Sequence, residues 1–295
     1  AKPNLPLVLK YANVDKDVFV PAADIKTYND DSLYEFDGPT RTINNPTNRD
    51  VKVTSHPEFK YETTGVLFKN LPETMSEDDK NKANKIFYYG LVRDARYAFA
   101  NNTNVKTIDT KDWNLNGVKS TDGMFTSCES LTTIDVSKWD TSTITNINNM
   151  FNRCQNLVSL DVSRWDTSKV KNMNSVFVLC PKLQTLDVSK WDTSNVTDMT
   201  GMFNACNGTT NIDVSKWNTS KVTSMRWMFK TCVYLTSMDI SNWDTSNVTN
   251  MDGMFDSCRD LRTITGVIDM KSCTSYARMF DACTNLTNVK IKNLP

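Results

Sequence analysis

Six cysteines recur at one interval: Cys128, Cys154, Cys180, Cys206, Cys232 and Cys258 stand 26 residues apart. An even, regular set of thiols invites two chemistries, a disulfide framework or a soft-metal site. Side chains that return once per stacked unit point the same way, so their Cβ vectors run parallel rather than facing, which suits an S–S bond poorly. Metal binding lacks its usual partners: the chain has no Cys-x-x-Cys pair and one histidine, His56, which sits before Pro57 in a stretch read as loop. Cys273 stands where other units carry Val, as at Val248, and Asn102 stands at the cysteine position of the first unit. Those exchanges treat cysteine as a small filler. The expectation is buried free thiols, with no metal and no cofactor.

Other ladders keep the same period. Trp113, Trp139, Trp165, Trp191, Trp217 and Trp243 form a row of indoles. A row of indoles is the chemistry of a sugar-stacking strip, but an indole required identically in each unit is better explained by packing. Asp135, Asp161, Asp187, Asp213 and Asp239 form a like-charge row, with Ser137, Ser163, Ser189, Ser215 and Ser241 two residues on. Repulsion at stacking distance must be relieved by serine, backbone amides, water or a cation such as calcium. The hydrogen-bonded face is the favoured reading. Paired carboxylates could hydrolyse glycans, but a catalytic pair should be singular and these recur in every unit. No catalytic residue is assigned, and the chain is read as not an enzyme. The row Thr141, Thr167, Thr193, Thr219 and Thr245 raises ice binding, which its charged neighbours Lys138 and Asp140 disfavour. Leu71–Met75 (LPETM) resembles a wall-sorting signal, yet has Met for Gly and no hydrophobic tail behind it.

The elements that position these rows follow from composition. The 295 residues hold 34 basic and 34 acidic side chains. That balance argues against a nucleic-acid grip or a polybasic membrane anchor. No apolar run approaches the roughly 18 residues of a transmembrane helix, and no signal peptide is visible at Ala1. Residues 1–91 hold seven of the nine prolines and no Cys or Trp, whereas residues 92–295 hold all eight Cys and all seven Trp. Two regions are therefore expected. The first reads as α+β, with short strands at 5–11, 18–20, 51–53 and 65–68. A helix is expected over about 77–89, capped by Ser76 and acidic in its first turn, covering the open end of the second region.

The second region reads as eight related units registered on Phe99, Phe125, Phe151, Phe177, Phe203, Phe229, Phe255 and Phe280. Self-similarity at this period signals a stacked architecture. Thr132–Ser137 alternates and is β-branched, so it is the strand of its unit. Val196, Met199, Met202 and Phe203 sit at turn spacing and predict a tight turn or short 3₁₀ stretch. One unit buries too little to fold alone, and stacking supplies the rest.

The unit Leu-x-x-Leu-Asp-Val-Ser-x-Trp-Asp-Thr-Ser-x-Val-Thr-x-Met-x-x-Met-Phe-x-x-Cys resembles the bacterial surface protein 26-residue repeat, related to the BspA-type and Treponema-type leucine-rich repeats. The resemblance covers about residues 92–295 and not the first 91. It implies a mainly β chain: a right-handed parallel solenoid of leucine-rich-repeat-like coils, capped by the N-terminal region. It also implies a cell-surface or secreted bacterial protein, anchored by a segment not present in this chain. Its expected partner is a host extracellular-matrix protein, a cell-surface protein or a glycan, and no catalytic residues carry over.

Departures from the pattern are where specific recognition is expected. Trp227 stands where other units have Gly123, Asn149, Ser175, Gly201 and Gly253, and Arg226 precedes it. Tyr234 replaces polar residues such as Ser130, Asn156, Lys182 and Asp260, and Val178 with Leu179 replaces pairs such as Asn152–Arg153. Aromatics and arginine are the residues enriched at interface hot spots. The alternative is local repair, because Thr209 replaces the leucine of its unit and Trp227 or Tyr234 would fill the gap. The rival to a binding array is a spacer that displays residues 1–91 as the ligand reader.

Overall fold

The computed structural model describes residues 118–295 continuously and, ahead of them, residues 96, 97, 99–101, 103, 106–108, 110 and 115. The expected α+β region 1–91 with its helix over about 77–89, His56, Leu71–Met75, Asn102 and Trp113 lie outside the described residues.

Among the described residues regular structure consists of eight short strands: β1 (Thr107–Ile108), β2 (Thr133–Ile134), β3 (Ser159–Leu160), β4 (Thr185–Leu186), β5 (Ser237–Asp239), β6 (Thr263–Thr265), β7 (Val267–Asp269) and β8 (Lys290–Lys292). There is no helix among the described residues. All pairing is parallel, with β1 on β2, β3 on β4, β5 on β6 and β7 on β8. Register follows the repeat: Ile108 lies opposite Ile134, Leu160 opposite Leu186 and Met238 opposite Ile264. In β2 to β6 the leucine, isoleucine or methionine faces the core and its threonine or serine neighbour faces solvent.

The strand expected over Thr132–Ser137 is shorter than its alternation suggests. The Asp135 carboxylate accepts the Ser137 amide at 3.0 Å and the Ser137 hydroxyl at 2.6 Å. That local bond offers the backbone an alternative to the sheet and turns the chain beyond Ile134.

A second ladder runs through the opposite side of each unit, bridging Ser120, Asn146, Asn172, Asp198, Ser224, Asn250 and Ser275 in parallel. From there the chain turns a corner whose alternate amides donate to the next unit. Met225 donates to Asn250, Trp227 to Asp252, Phe229 to Met254 and Thr231 to Asp256, at 2.7–2.9 Å. Pointing all these amides along the stack requires left-handed backbone at two positions per unit. The first is held by Tyr97, Gly123, Asn149, Ser175, Gly201, Trp227, Gly253 and Arg278. The second is held by Asn101, Ser127, Arg153, Leu179, Ala205, Thr231, Ser257 and Ala282. The expected 3₁₀ alternative is thereby excluded, since a helix cannot run through a left-handed residue every fourth position. The corner is instead a chain of single turns, such as Met228 to Met225 and Cys232 to Phe229.

The core is a set of like-on-like columns. Phe99 through Phe280 stack face to face with ring centroids 5.4–6.1 Å apart. The indoles of Trp139, Trp165, Trp191 and Trp217 stack alongside at 6.0–6.5 Å.

One unit breaks the strand ladder. The amides of Thr132, Val158 and Gln184 each donate to the unit before, as does that of Arg262, but Thr210 and Thr236 make no such bond. The cause lies just upstream. Thr209 is buried and its hydroxyl donates to the Leu183 carbonyl at 2.7 Å. Gly208 presses so closely that a Cβ there would lie 2.7 Å from the same oxygen. Residues 208–209 are drawn onto the preceding unit, and 210–212 form no strand.

Candidate functional site

Each regular ladder is satisfied within the array. The thiols of Cys128, Cys154, Cys180, Cys206, Cys232 and Cys258 donate to the phenylalanine carbonyl 29 residues back, at 2.9–3.3 Å. None of the eight cysteines forms a disulfide. Burial pushes the thiols of Cys180 and Cys232 up to about 12. A thiol so far from ionising is neither a nucleophile nor a ready metal ligand.

The tryptophan row is buried, not a surface strip: Trp139, Trp165, Trp191, Trp217 and Trp243 are at most 7% exposed. The indole nitrogens of Trp165, Trp191, Trp217 and Trp243 donate to Val136, Val162, Val188 and Val214 carbonyls at 2.9–3.1 Å. The threonine row is buried too, and Thr141, Thr167, Thr193, Thr219 and Thr245 each donate to a carbonyl of the next unit. An ice-facing strip is therefore ruled out, because a hydroxyl spent between units cannot order water. In the aspartate row, hydrogen bonds from Ser137, Ser163, Ser189 and Ser241 hold Asp135, Asp161, Asp187 and Asp239 below the usual carboxylate range. Serine is thus what relieves the like-charge row.

What remains is the corner where the pattern breaks. Trp227 sits at φ +57° with 36% of its surface exposed. Arg226 lies over its ring, the guanidinium carbon 3.7 Å from the centroid, and Lys230 Nζ is 5.5 Å from it. The indole extends over the next unit's glycine: a Cβ on Gly253 would meet Trp227 Cδ1 at 2.7 Å. Below Lys230 lies Asp256, buried, with Lys230 Nζ at 3.3 Å and an Arg278 nitrogen at 3.5 Å.

The other off-pattern residues fall elsewhere. Val178 leans over Gly201, where a Cβ would lie 3.5 Å from its Cγ2. Leu179 is left-handed and 36% exposed at the second corner position. Both are two repeats back from Lys230 and Thr231. Tyr234 is 56% exposed and makes no ring contact with Trp227. Thr209, whose gap they were expected to fill, spends its hydroxyl on the Leu183 carbonyl at 2.7 Å. The structure thus groups Arg226 with Trp227, adds Lys230, Gly253, Asp256 and Arg278, and leaves Tyr234, Val178 and Leu179 apart. Gly253 was open to discovery from sequence: glycine follows the large corner residue one unit on at Tyr97–Gly123 and Trp227–Gly253.

A second feature was not foreseen. Where the strand ladder breaks, a groove of about 560 Å³ opens on the strand face. It is lined by Ser159, Asp161, Ser163, Gln184, Thr185, Asp187 and Asn211 together with Leu160 and Leu186.

Fold and ladders together define a stacked-repeat β protein in which the repeated chemistry serves packing. The chain belongs to the family described as "Mycoplasma protein of unknown function, DUF285", which matches residues 93–207 and 178–293. The match agrees with a BspA-like repeat and does not reach the Treponema-type subgroup. No curated protein matches the chain. Among solved structures, it is similar to a leucine rich cell surface protein from Faecalibacterium prausnitzii A2-165 at 19% identity, covering 67% of this chain and 76% of that one. The TM-score is 0.24, too low to carry an argument. No helix among the described residues is long and apolar enough to cross a membrane.

Proposed function

We propose that the chain is a bacterial cell-surface or secreted binding module. Its array is a right-handed parallel solenoid of leucine-rich-repeat-like coils, held at the cell surface. It recognises a host extracellular-matrix protein, a cell-surface protein or a glycan through side chains that break the repeat, and it performs no catalysis.

Trp227 is the observation that carries this reading. A bulky side chain in left-handed backbone is strained, by about 1–2 kcal/mol, and glycine serves the same position in three other units. An aromatic retained there and left partly in solvent is what a contact residue looks like. The ladders, being internally satisfied, supply the rigid scaffold.

The test is binding of the full chain to an immobilised panel of extracellular-matrix proteins and glycans, alongside a Trp227→Ala, Tyr234→Ala double variant. The expected result is a bound panel member whose capture the double variant weakens. Undiminished capture by the variant discards the contact residues, and a chain that captures nothing discards the binding role.

A further inference from the structure

We propose that Arg226, held over the Trp227 indole, is an oxyanion-binding group whose ligand is an acidic glycan, the guanidinium taking a carboxylate or sulfate. This rests on the surface-binding reading and names the ligand class of its contact corner.

The nearby negative charge is already committed. Asp252 holds the register position of Arg226 one unit on, yet its Oδ1 accepts the Ser275 hydroxyl at 2.6 Å and the Ala277 amide at 2.8 Å. Asp256 is shared by Lys230 and Arg278, and accepts the Ser257 hydroxyl at 2.8 Å. Arg226 is in no ion pair among the described residues, and its Nε is buried with no hydrogen-bond partner. A charge-balanced chain with carboxylates at hand leaves this guanidinium uncommitted.

Its geometry is that of a prepared receptor. Stacking on an aromatic face fixes a planar fork of donors that matches a carboxylate or sulfate, so less freedom is lost on binding. Lys230, near the same ring, adds positive potential. The exposed part of the indole sets an apolar surface beside the guanidinium for the C–H groups of a sugar. One unit back, the register positions of Arg226 and Lys230 are Thr200 and Asn204, and the Thr200 and Ser224 hydroxyls meet at 2.7 Å. A hydroxyl and amide surround suits a polyhydroxylated ligand, whereas a peptide hot spot needs buried apolar pockets.

The experiment is calorimetric titration of the full chain with heparin hexasaccharide, hyaluronan hexasaccharide, neutral dextran oligosaccharide and poly-L-glutamate. Both acidic glycans are expected to bind, and dextran is not. Arg226→Gln should weaken glycan binding by about ten- to hundred-fold, the worth of a charge-assisted hydrogen bond. Arg226→Lys, which keeps charge but loses the fork, should recover only part. Trp227→Gly suits the left-handed backbone, so it should fold with a thermal midpoint within about 4 °C of the parent and still lose affinity. Equal binding by Arg226→Gln, equal binding of dextran, or binding of poly-L-glutamate alone overturns the proposal. Acidic-glycan binding that survives Arg226→Gln removes this site and leaves the surface-binding role standing. Failure of all four probes removes this ligand class, while the protein and glycan panel decides the role.

Discussion

Trp227 and Gly253 occupy the same corner position in successive units, and the indole of the first lies where a side chain on the second would go, 2.7 Å from a Cβ. The exposed aromatic is thus seated by an absence one repeat away. Gly201 is also left-handed, but a Cβ there meets Ser175 Oγ at 3.4 Å and Val178 Cγ2 at 3.5 Å, ordinary contacts. Alanine at Gly201 should therefore cost about 1 kcal/mol, the backbone term alone. Alanine at Gly253 should cost more and shift Trp227 emission. Urea unfolding with fluorescence detection compares the two.

Burial separates the two kinds of tryptophan. Trp217 is 1% exposed and donates to Val188, so Trp217→Ala should lose about 3–5 kcal/mol. Trp227→Gly removes a partly exposed ring but relieves left-handed strain, and its net change should stay within about 1 kcal/mol. Denaturation midpoints of the two variants decide this.

The thiol column predicts alkaline sensitivity. Cys180 and Cys232 ionise near 12 in the fold, against 9.0 ordinarily. Between those values the unfolded chain has lost protons that the folded chain keeps. Stability is therefore full below about pH 9 and falls as pH rises. Each such thiol steepens that fall. Urea midpoints at pH 8 and 10.5 should differ sharply. At pH 8 a thiol reagent should label these cysteines only after unfolding.

The aspartate row gives the opposite sign. Serine hydrogen bonds lower Asp161 and Asp187 in the fold. Their contribution is present above the ordinary value of 3.8 and lost as pH falls through the folded values. Ser163→Ala and Ser189→Ala should return these carboxylates toward 3.8, read by carboxyl NMR titration. Both groups are exposed, so the stability change should be small.

Thr209→Val tests the broken rung. It deletes the donor to Leu183 and strands a buried carbonyl, with an expected loss of about 1–3 kcal/mol by thermal melting.

The array was legible in the sequence because its period is carried by residues that stack on themselves. Phe125 meets Phe151 and Trp165 meets Trp191, so a letter recurring every 26 residues is a contact. The left-handed corner was hidden, since Asn149, Ser175, Leu179 and Trp227 share a conformation without sharing chemistry. The groove was hidden as well. It arises from Gly208 and Thr209 pulling backbone across a unit boundary, and its lining residues keep the ordinary pattern. Trp227 and Arg226 were visible as exceptions, but their neighbours Lys230 and Asp256 look unremarkable until the corner brings them together.

The missing rungs at Thr210 and Thr236 have a mechanical meaning. On the corner side the same units stay fastened, as Leu179 to Asn204 and Ala205 to Lys230 show. A stack clamped along one edge, and held at the first missing rung of the other by the Thr209–Leu183 bond in place of a backbone pair, bends there first. The array should flex there like a book on its spine, opening the strand face while the corner holds its length, and a pull on its two ends would be taken up first at Asn211.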